Sequence, residues 1–315
     1  MIIVCGDYIM SIKTTSIKNF INSKRNLDMK SSARKSSRSF GGNLLLGIVL
    51  FILGFLFFFP VIYMINQSLK PLNEMYMFPP KLFVQNPTLD NFSDLVRIVS
   101  NTLVPFSRYL FNSLFVVVVG SIGHILIASM CAYPLAKYTF PGSKFISSLI
   151  VYSLMFNTTV TMVPNFITIS KLGLIDTYGA IIFPTFASTL GLYLMKNFME
   201  QIPDSLIEAG KIDGANQLQI HLKLVLPLVK PAAVTAFILV FQALWTNTGD
   251  KYIYAEKLKS VAYMLSQLAS SSSVGVARAG VLAAASLIIF LIPVSIFLIM
   301  QTNVISTMAT SGMKE

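Results

Sequence analysis

Residues 203–228, PDSLIEAGKIDGANQLQIHLKLVLPL, place Asp204, Glu208, Lys211 and Asp213 within ten residues, between two long apolar segments. Ser205 and Glu208 fit S-x-x-E, a capping box in which each side chain satisfies a free backbone N–H at a helix start. Asp204 and Glu208 also suit the positive end of a helix dipole, and Gly214 suits the left-handed turn that ends a helix. The pattern predicts a short helix over Leu206–Asp213, about 12 Å long and too short to be stable without packing partners. Beyond it, Leu218, Ile220, Leu222 and Leu224 alternate with polar residues as a strand would, whereas Leu218, Leu222 and Val225 suit one helix face. A lone strand would leave its backbone groups unpaired, so a second helix is expected.

The rest of the chain is far more apolar. Of its 315 residues, 54% are hydrophobic and 12% charged, about half the charge of an ordinary soluble domain. Runs of about twenty apolar residues, each long enough for a bilayer core of about 30 Å, account for the deficit. Six are expected, at 43–66, 109–134, 144–167, 178–198, 229–249 and 279–301. The fold class expected is an all-α membrane protein with six transmembrane helices. Pro60, Pro134, Pro164, Pro184 and Pro293 fall inside the runs, which a bundle tolerates when neighbouring helices satisfy the freed backbone groups. Gly120, Ser121, Gly123, Ala128 and Ser129 give the second run a face for close packing.

The net charge of +11 is concentrated before the first run: Lys13, Lys18, Lys24, Arg25, Lys30, Arg34, Lys35 and Arg38 precede residue 43. Such a block keeps an N-terminus cytoplasmic, with lipid contact as a secondary effect, so no nucleic acid is expected as a partner. Both termini are then inside, as are 137–143 and 199–228, while 67–108, 168–177 and 250–278 are outside. The other basic residues favour neither side, seven against nine, so orientation rests on the first run. Residues 1–42 form a polar basic tail expected to be mobile, and Met10 or Met29 is an alternative start to Met1. No cleavage pattern follows the first run, which is read as an uncleaved anchor.

Enzyme signals are missing from the sequence. It has no G-x-x-x-x-G-K-[ST] phosphate loop, no histidine, cysteine and carboxylate cluster with metal spacing, and two cysteines, Cys5 and Cys131, that imply no disulfide framework. No cofactor is expected on this chain; if ATP powers it, another polypeptide holds the ATP and magnesium. Four polar residues inside the runs, His124, Asn157, Gln242 and Asn247, are candidates for lining a solute path; each is equally suited to a bundle hydrogen bond.

A resemblance then becomes specific. EAGKIDGANQLQIHLKLVLP, residues 208–227, resembles the E-A-A-x3-G-x9-I-x-L-P cytoplasmic loop of permease subunits of bacterial binding-protein-dependent ABC importers. Glu208 and Ala209 match the first two positions, Gly214 the glycine, and Leu226–Pro227 the closing pair. Gly210 replaces the second alanine and Leu224 the isoleucine. NSLFVVVVGSIGHILIASMCAYPLAKYTFPGSK, residues 112–144, is similar to the second span and its turn in that family, and MVPNFITISKLGLIDTYGAIIFP, residues 162–184, to a later connection. The pattern resembles most the maltose-permease-like, carbohydrate branch.

The resemblance implies a transmembrane domain over 43–315 in the bacterial cell membrane. It implies that the loop at about 199–228 is a coupling helix seated in an ATPase cleft, with Glu208, Ala209, Gly210, Asp213 and Gly214 carrying the contact. The implied partners are a second, homologous permease subunit, two ATPase subunits, an extracytoplasmic solute-binding protein, a sugar substrate and membrane lipid. A peptide, amino acid, polyamine or ion is the alternative solute. A secondary transporter or channel would predict inverted repeats and mid-membrane charges, and neither is seen in the sequence.

Overall fold

The computed structural model describes residues 40–75, 77–79, 81–100, 104–156, 158–270 and 279–311. The basic tail through residue 39, Cys5, Asn157 and residues 271–278 lie outside the described residues. Those that are described form helices and connecting turns, with no strand among them. In chain order the helices are α1 (Phe40–Leu69), α2 (Leu72–Met75), α3 (Asp90–Ser100), α4 (Phe106–Lys137), α5 (Ser143–Ser153), α6 (Thr158–Lys171), α7 (Gly179–Phe186) and α8 (Thr189–Glu200). There follow α9 (Asp204–Ile212), α10 (Gln217–Leu228), α11 (Lys230–Trp245), α12 (Val261–Ser270) and α13 (Ala279–Ser311).

Contacts divide the chain into residues 1–60 and 61–315. The described part of the first unit is a helix whose apolar side chains are exposed on every side, among them Leu45, Phe51 and Phe57, as hydrocarbon surroundings require.

Four helices or helix pairs of the described residues are long and apolar enough to cross a membrane: Gly42–Leu69, Phe106–Lys137, Gly179–Glu200 and Ala279–Gln301. The pair α10 and α11, bent by 79°, makes a fifth if counted as one span. Two of the six expected runs therefore differ. The run at 144–167 is two helices of 11 and 14 residues, α5 and α6, parted by a turn at Leu154–Phe156. The threonine- and valine-rich start of α6, TTVT, is poor helix-forming sequence. The run at 229–249 is the 16-residue α11, about 24 Å long. Pro231 has no N–H and its ring would crowd the carbonyl four residues back, so the chain turns at Val229 and restarts.

α4 is the axis of the second unit. Its Gly120 lies under Leu244, with 2.6 Å between Leu244 Cδ1 and the place a Cβ would take, and Gly123 lies against Phe186 in the same way at 2.3 Å. Ser121, Ala128 and Ser129 are buried on the same helix, so the small-residue face does admit close neighbours. One end of the bundle is closed by Ala128, Ala132, Tyr133, Met195, Met199, Ile207, Ile220 and Val225. The middle is closed by Val116, Val117, Ile181, Val240, Phe241 and Trp245, where the Phe241 and Trp245 rings stack at 5.8 Å and Trp245 Nε1 donates to the Ile289 carbonyl at 3.1 Å.

The long polar stretch after α1 is folded. Glu74 is buried and accepts from the N–H groups of Gln85 (3.1 Å) and Asn86 (2.9 Å). Asn91 donates to the carbonyls of Ser68 and Lys70. Buried charges persist where such bonds satisfy them.

Candidate functional site

α9 is built by its termini. It starts at Asp204, with Pro203 in extended conformation as the cap residue and no side-chain cap bond. The capping box expected between Ser205 and Glu208 is therefore not formed: the helix begins one residue before Ser205, which lies inside the first turn. Pro203 explains the shift, because its fixed φ leads the chain into the helix and its missing N–H needs no partner. The box that does form is one helix later, where Asn216 accepts from Gln219 N–H (2.8 Å) and Gln219 accepts from Asn216 N–H (3.0 Å). At the other end, Gly214 has φ +78°, as expected. Gly214 N–H donates to the Lys211 carbonyl and Ala215 N–H to the Gly210 carbonyl, both at 3.1 Å, the paired bonds of a Schellman motif.

These stops leave a nine-residue helix with one face in and one face out. Ile207 is 5% exposed and belongs to the core. Glu208, Ala209, Asp213 and Gly214 are exposed, and Gly210 is half-buried against Ile220. Ile212, which sequence reasoning passed over, is 86% exposed, an isoleucine projecting at the apex beside the turn. The expected second helix is present as α10, with π geometry over Ile220–Val225.

α9 is fastened to the end of α4. Lys137 Nζ donates to Asp204 Oδ1 at 2.8 Å and to the Ile202 carbonyl. Gln217 Oε1 accepts from Tyr138 Oη at 2.6 Å and Tyr133 Oη at 3.2 Å. The Tyr133 ring lies 5.2 Å from that of buried His221, and Lys211 Nζ stands 5.4 Å over the Tyr138 ring. None of Lys137, Tyr133, Tyr138 or Gln217 was legible as part of the site: the hydrogen-bonded partners are 65 to 84 residues apart, and no periodicity links them.

The opposite end of α4 carries a second cluster. Asn112 Nδ2 donates to the carbonyls of Lys257 and Lys259, both at 2.9 Å, while its Oδ1 accepts from Tyr178 Oη at 2.7 Å. Tyr109 Oη donates to Glu256 at 2.5 Å, and Ser113 Oγ accepts from Val261 N–H at 2.8 Å. Asp176, at φ 59°, accepts from Ala255 N–H (2.8 Å) and Tyr254 N–H (2.5 Å). Those two bonds, with a smaller contribution from Lys259, hold its carboxyl below the usual aspartate range. The segments around 176 and 250–261 thus meet at one end of α4, and 202–221 at the other.

The candidate path residues are not brought together. His124 is fully buried, and its Nε2 occupies the space beside Gly191, where a Cβ would lie 2.0 Å away. Asn247 lines a concavity of about 240 Å³ with Thr185, Ser188 and Gly191, next to the break between α7 and α8. Gln242 lines another of about 540 Å³ with Trp245, Thr246 and Phe297. Asn157 lies outside the described residues.

Residues 83–308 match the family described as the binding-protein-dependent transport system inner membrane component. The chain belongs to that family. This inner membrane component is similar to the polygalacturonan/rhamnogalacturonan transport system permease of Bacillus subtilis, 33% identical over 209 residues, 64% of this chain and 71% of that one. It is similar also to the trehalose transport system permease of Mycobacterium tuberculosis, 29% identical over 262 residues, 81% of this chain and 92% of that one. Its fold matches a chain in the crystal structure of a bacterial ABC transporter involved in the import of the acidic polysaccharide alginate. That match has a TM-score of 0.73 at 21% identity and covers 85% of this chain and 99% of that one. The family is one of multi-pass membrane permeases and not of enzymes, and ATP hydrolysis is carried out by separate ATPase subunits.

Proposed function

We propose that this chain is a membrane-spanning permease subunit of an ATP-driven importer of sugars or oligosaccharides, in the bacterial cytoplasmic membrane with both termini inside. The observation that carries the reading is α9. A short helix closed at its C-terminal end presents Glu208, Ala209, Ile212, Asp213 and Gly214 outward while Ile207 roots it in the bundle. A nine-residue helix with an isoleucine exposed at its apex is suited to fill a cleft in another protein. The basic block before the first run supports a cytoplasmic position for it, where an ATPase subunit would stand. Closure of the ATPase pair around ATP and magnesium would push this helix, and the spans would switch from inward-open to outward-open around solute released by the binding protein. A second permease subunit would complete the path, against the apolar surface that the bundle leaves uncovered. A carbohydrate solute is supported by what the similar permeases and the fold match are named for, pectic polymers, trehalose and alginate.

Two measurements test this. Glu208→Lys is expected to abolish ATPase co-purification and uptake together; if both persist, the coupling assignment is wrong. Calorimetry of the cognate binding protein against a panel of glycans and peptides is expected to find a glycan ligand, and binding of peptides alone would remove the carbohydrate reading.

A further inference from the structure

Lys137 is the last residue of α4, yet its side chain is 5% exposed, whereas its partner Asp204 is 78% exposed. A lysine at the end of a membrane helix ordinarily extends its ammonium into water. This one is turned into the protein and spends its donors on the two acceptors flanking Pro203, the Ile202 carbonyl and the Asp204 carboxylate. Those residues are the entry to α9. The exit is held by the same turn of α4, because Gln217 takes the hydroxyls of both Tyr133 and Tyr138. Pro134 removes one backbone bond from the last turn of α4, and Tyr133 and Lys137 lie on either side of it, so the proline is bridged. Between the two ties, Ile207 is packed and Ile212 projects.

The far end of the same helix, about 37 Å away at 1.5 Å per residue, is bonded through Asn112 and Tyr109 to the 256–259 segment. We propose that Lys137 is a positioning residue that locks α9 to α4 so that the two move as one body, carrying displacement at Glu208–Gly214 to the 250–261 segment at the opposite face. The inference rests on the importer reading above. Lys137 acts through α9, whose entry it holds.

The test uses the assembled complex with its ATPase subunits, reconstituted in lipid. Spin labels are placed at Ser205→Cys on α9 and at native Cys131, exposed on α4, with Cys5→Ser to remove the other thiol. The label distance is read without nucleotide and after trapping with Mg-ATP and vanadate. The expected result is one narrow distance that shifts by less than about 2 Å between the two states, the scale of a packed-helix adjustment. Lys137→Met is expected to broaden it, and Lys137→Arg, which keeps two donors, to restore it. The same Lys137→Met complex is expected to lose at least about fivefold of the ATPase stimulation by its binding protein, ~1 kcal/mol of coupling, a ratio that lower assembly alone would not change. If Lys137→Met does not assemble, exposed Asp204→Asn is read in its place, with broadening again expected. A narrow distance in the variant that assembles, or a wild-type distance that changes with nucleotide by many ångströms, overturns the proposal. An ATPase that never co-purifies with the wild-type chain overturns the importer reading and this inference with it.

Discussion

The imidazole of His124 occupies the space above Gly191: a Cβ built there would lie 2.0 Å from Nε2. Neither residue is exposed, so α4 and α8 approach as closely as they do because position 191 has no side chain. Gly191→Ala is expected to destabilise the chain by about 1–3 kcal/mol through overpacking. The double variant with His124→Ala is expected to recover more than half of that loss. Thermal unfolding of the purified protein in detergent checks both, and equal Tm values for wild type and Gly191→Ala would contradict the close approach.

The glycines of α9 predict opposite outcomes. A methyl group on Gly210 would meet Ile220 Cγ1 at 3.4 Å, ordinary contact distance, and Gly210 is an interior helix residue with no positive φ. Gly210→Ala is therefore expected to stabilise the helix by ~0.5–1 kcal/mol. The departure from alanine in the E-A-A pattern thus loosens the helix without being sterically required. Gly214 has open space around it but φ +78°, so Gly214→Val is expected to cost about 1–2 kcal/mol in backbone strain alone. Hydrogen exchange of the Ala215 amide, which closes the turn, should slow in the first variant and quicken in the second.

Ile212 separates docking from folding. At 86% exposure it has little packing to lose, so Ile212→Ser is expected to leave Tm within a degree or two, as surface substitutions usually do. Loss of an apolar anchor in a partner cleft is expected to weaken ATPase association on the order of tenfold, about 1.4 kcal/mol. Titration of the purified ATPase onto the wild-type and variant permeases measures this directly.

Acid is expected to loosen the end of the bundle where Asp176 sits. Its carboxylate is held below the usual range first by Ala255 N–H, then by Tyr254 N–H. A depressed carboxylate pKa contributes stability that is full above the unfolded-state value and is lost as pH falls through the folded one. The loss should therefore begin near pH 4, the unperturbed aspartate range, and grow below it. Asp176→Asn keeps a residue that tolerates the left-handed backbone and should flatten that acid limb. Proteolysis within the 250–261 segment as a function of pH is the measurement.

The amino-acid sequence by itself determined that this is a helical membrane protein, because apolar runs of membrane length admit no other way to satisfy backbone groups in hydrocarbon. It also determined the Gly214 turn, since only a residue without a Cβ enters that conformation freely, and the helical character of 217–228. Local pattern misplaced the capping box: S-x-x-E at 205 is chemically sound, but the proline before Asp204 started the helix too early for it, and the box forms at Asn216 and Gln219 instead. Nor did length alone show that 144–167 would break into two helices. Tertiary structure alone decided which residues hold α9. Lys137 and Asp204 meet across 67 residues, and Tyr133 and Gln217 across 84. Side-chain periodicity reports a residue's own helix face and carries no information about which distant acceptor a buried ammonium will find.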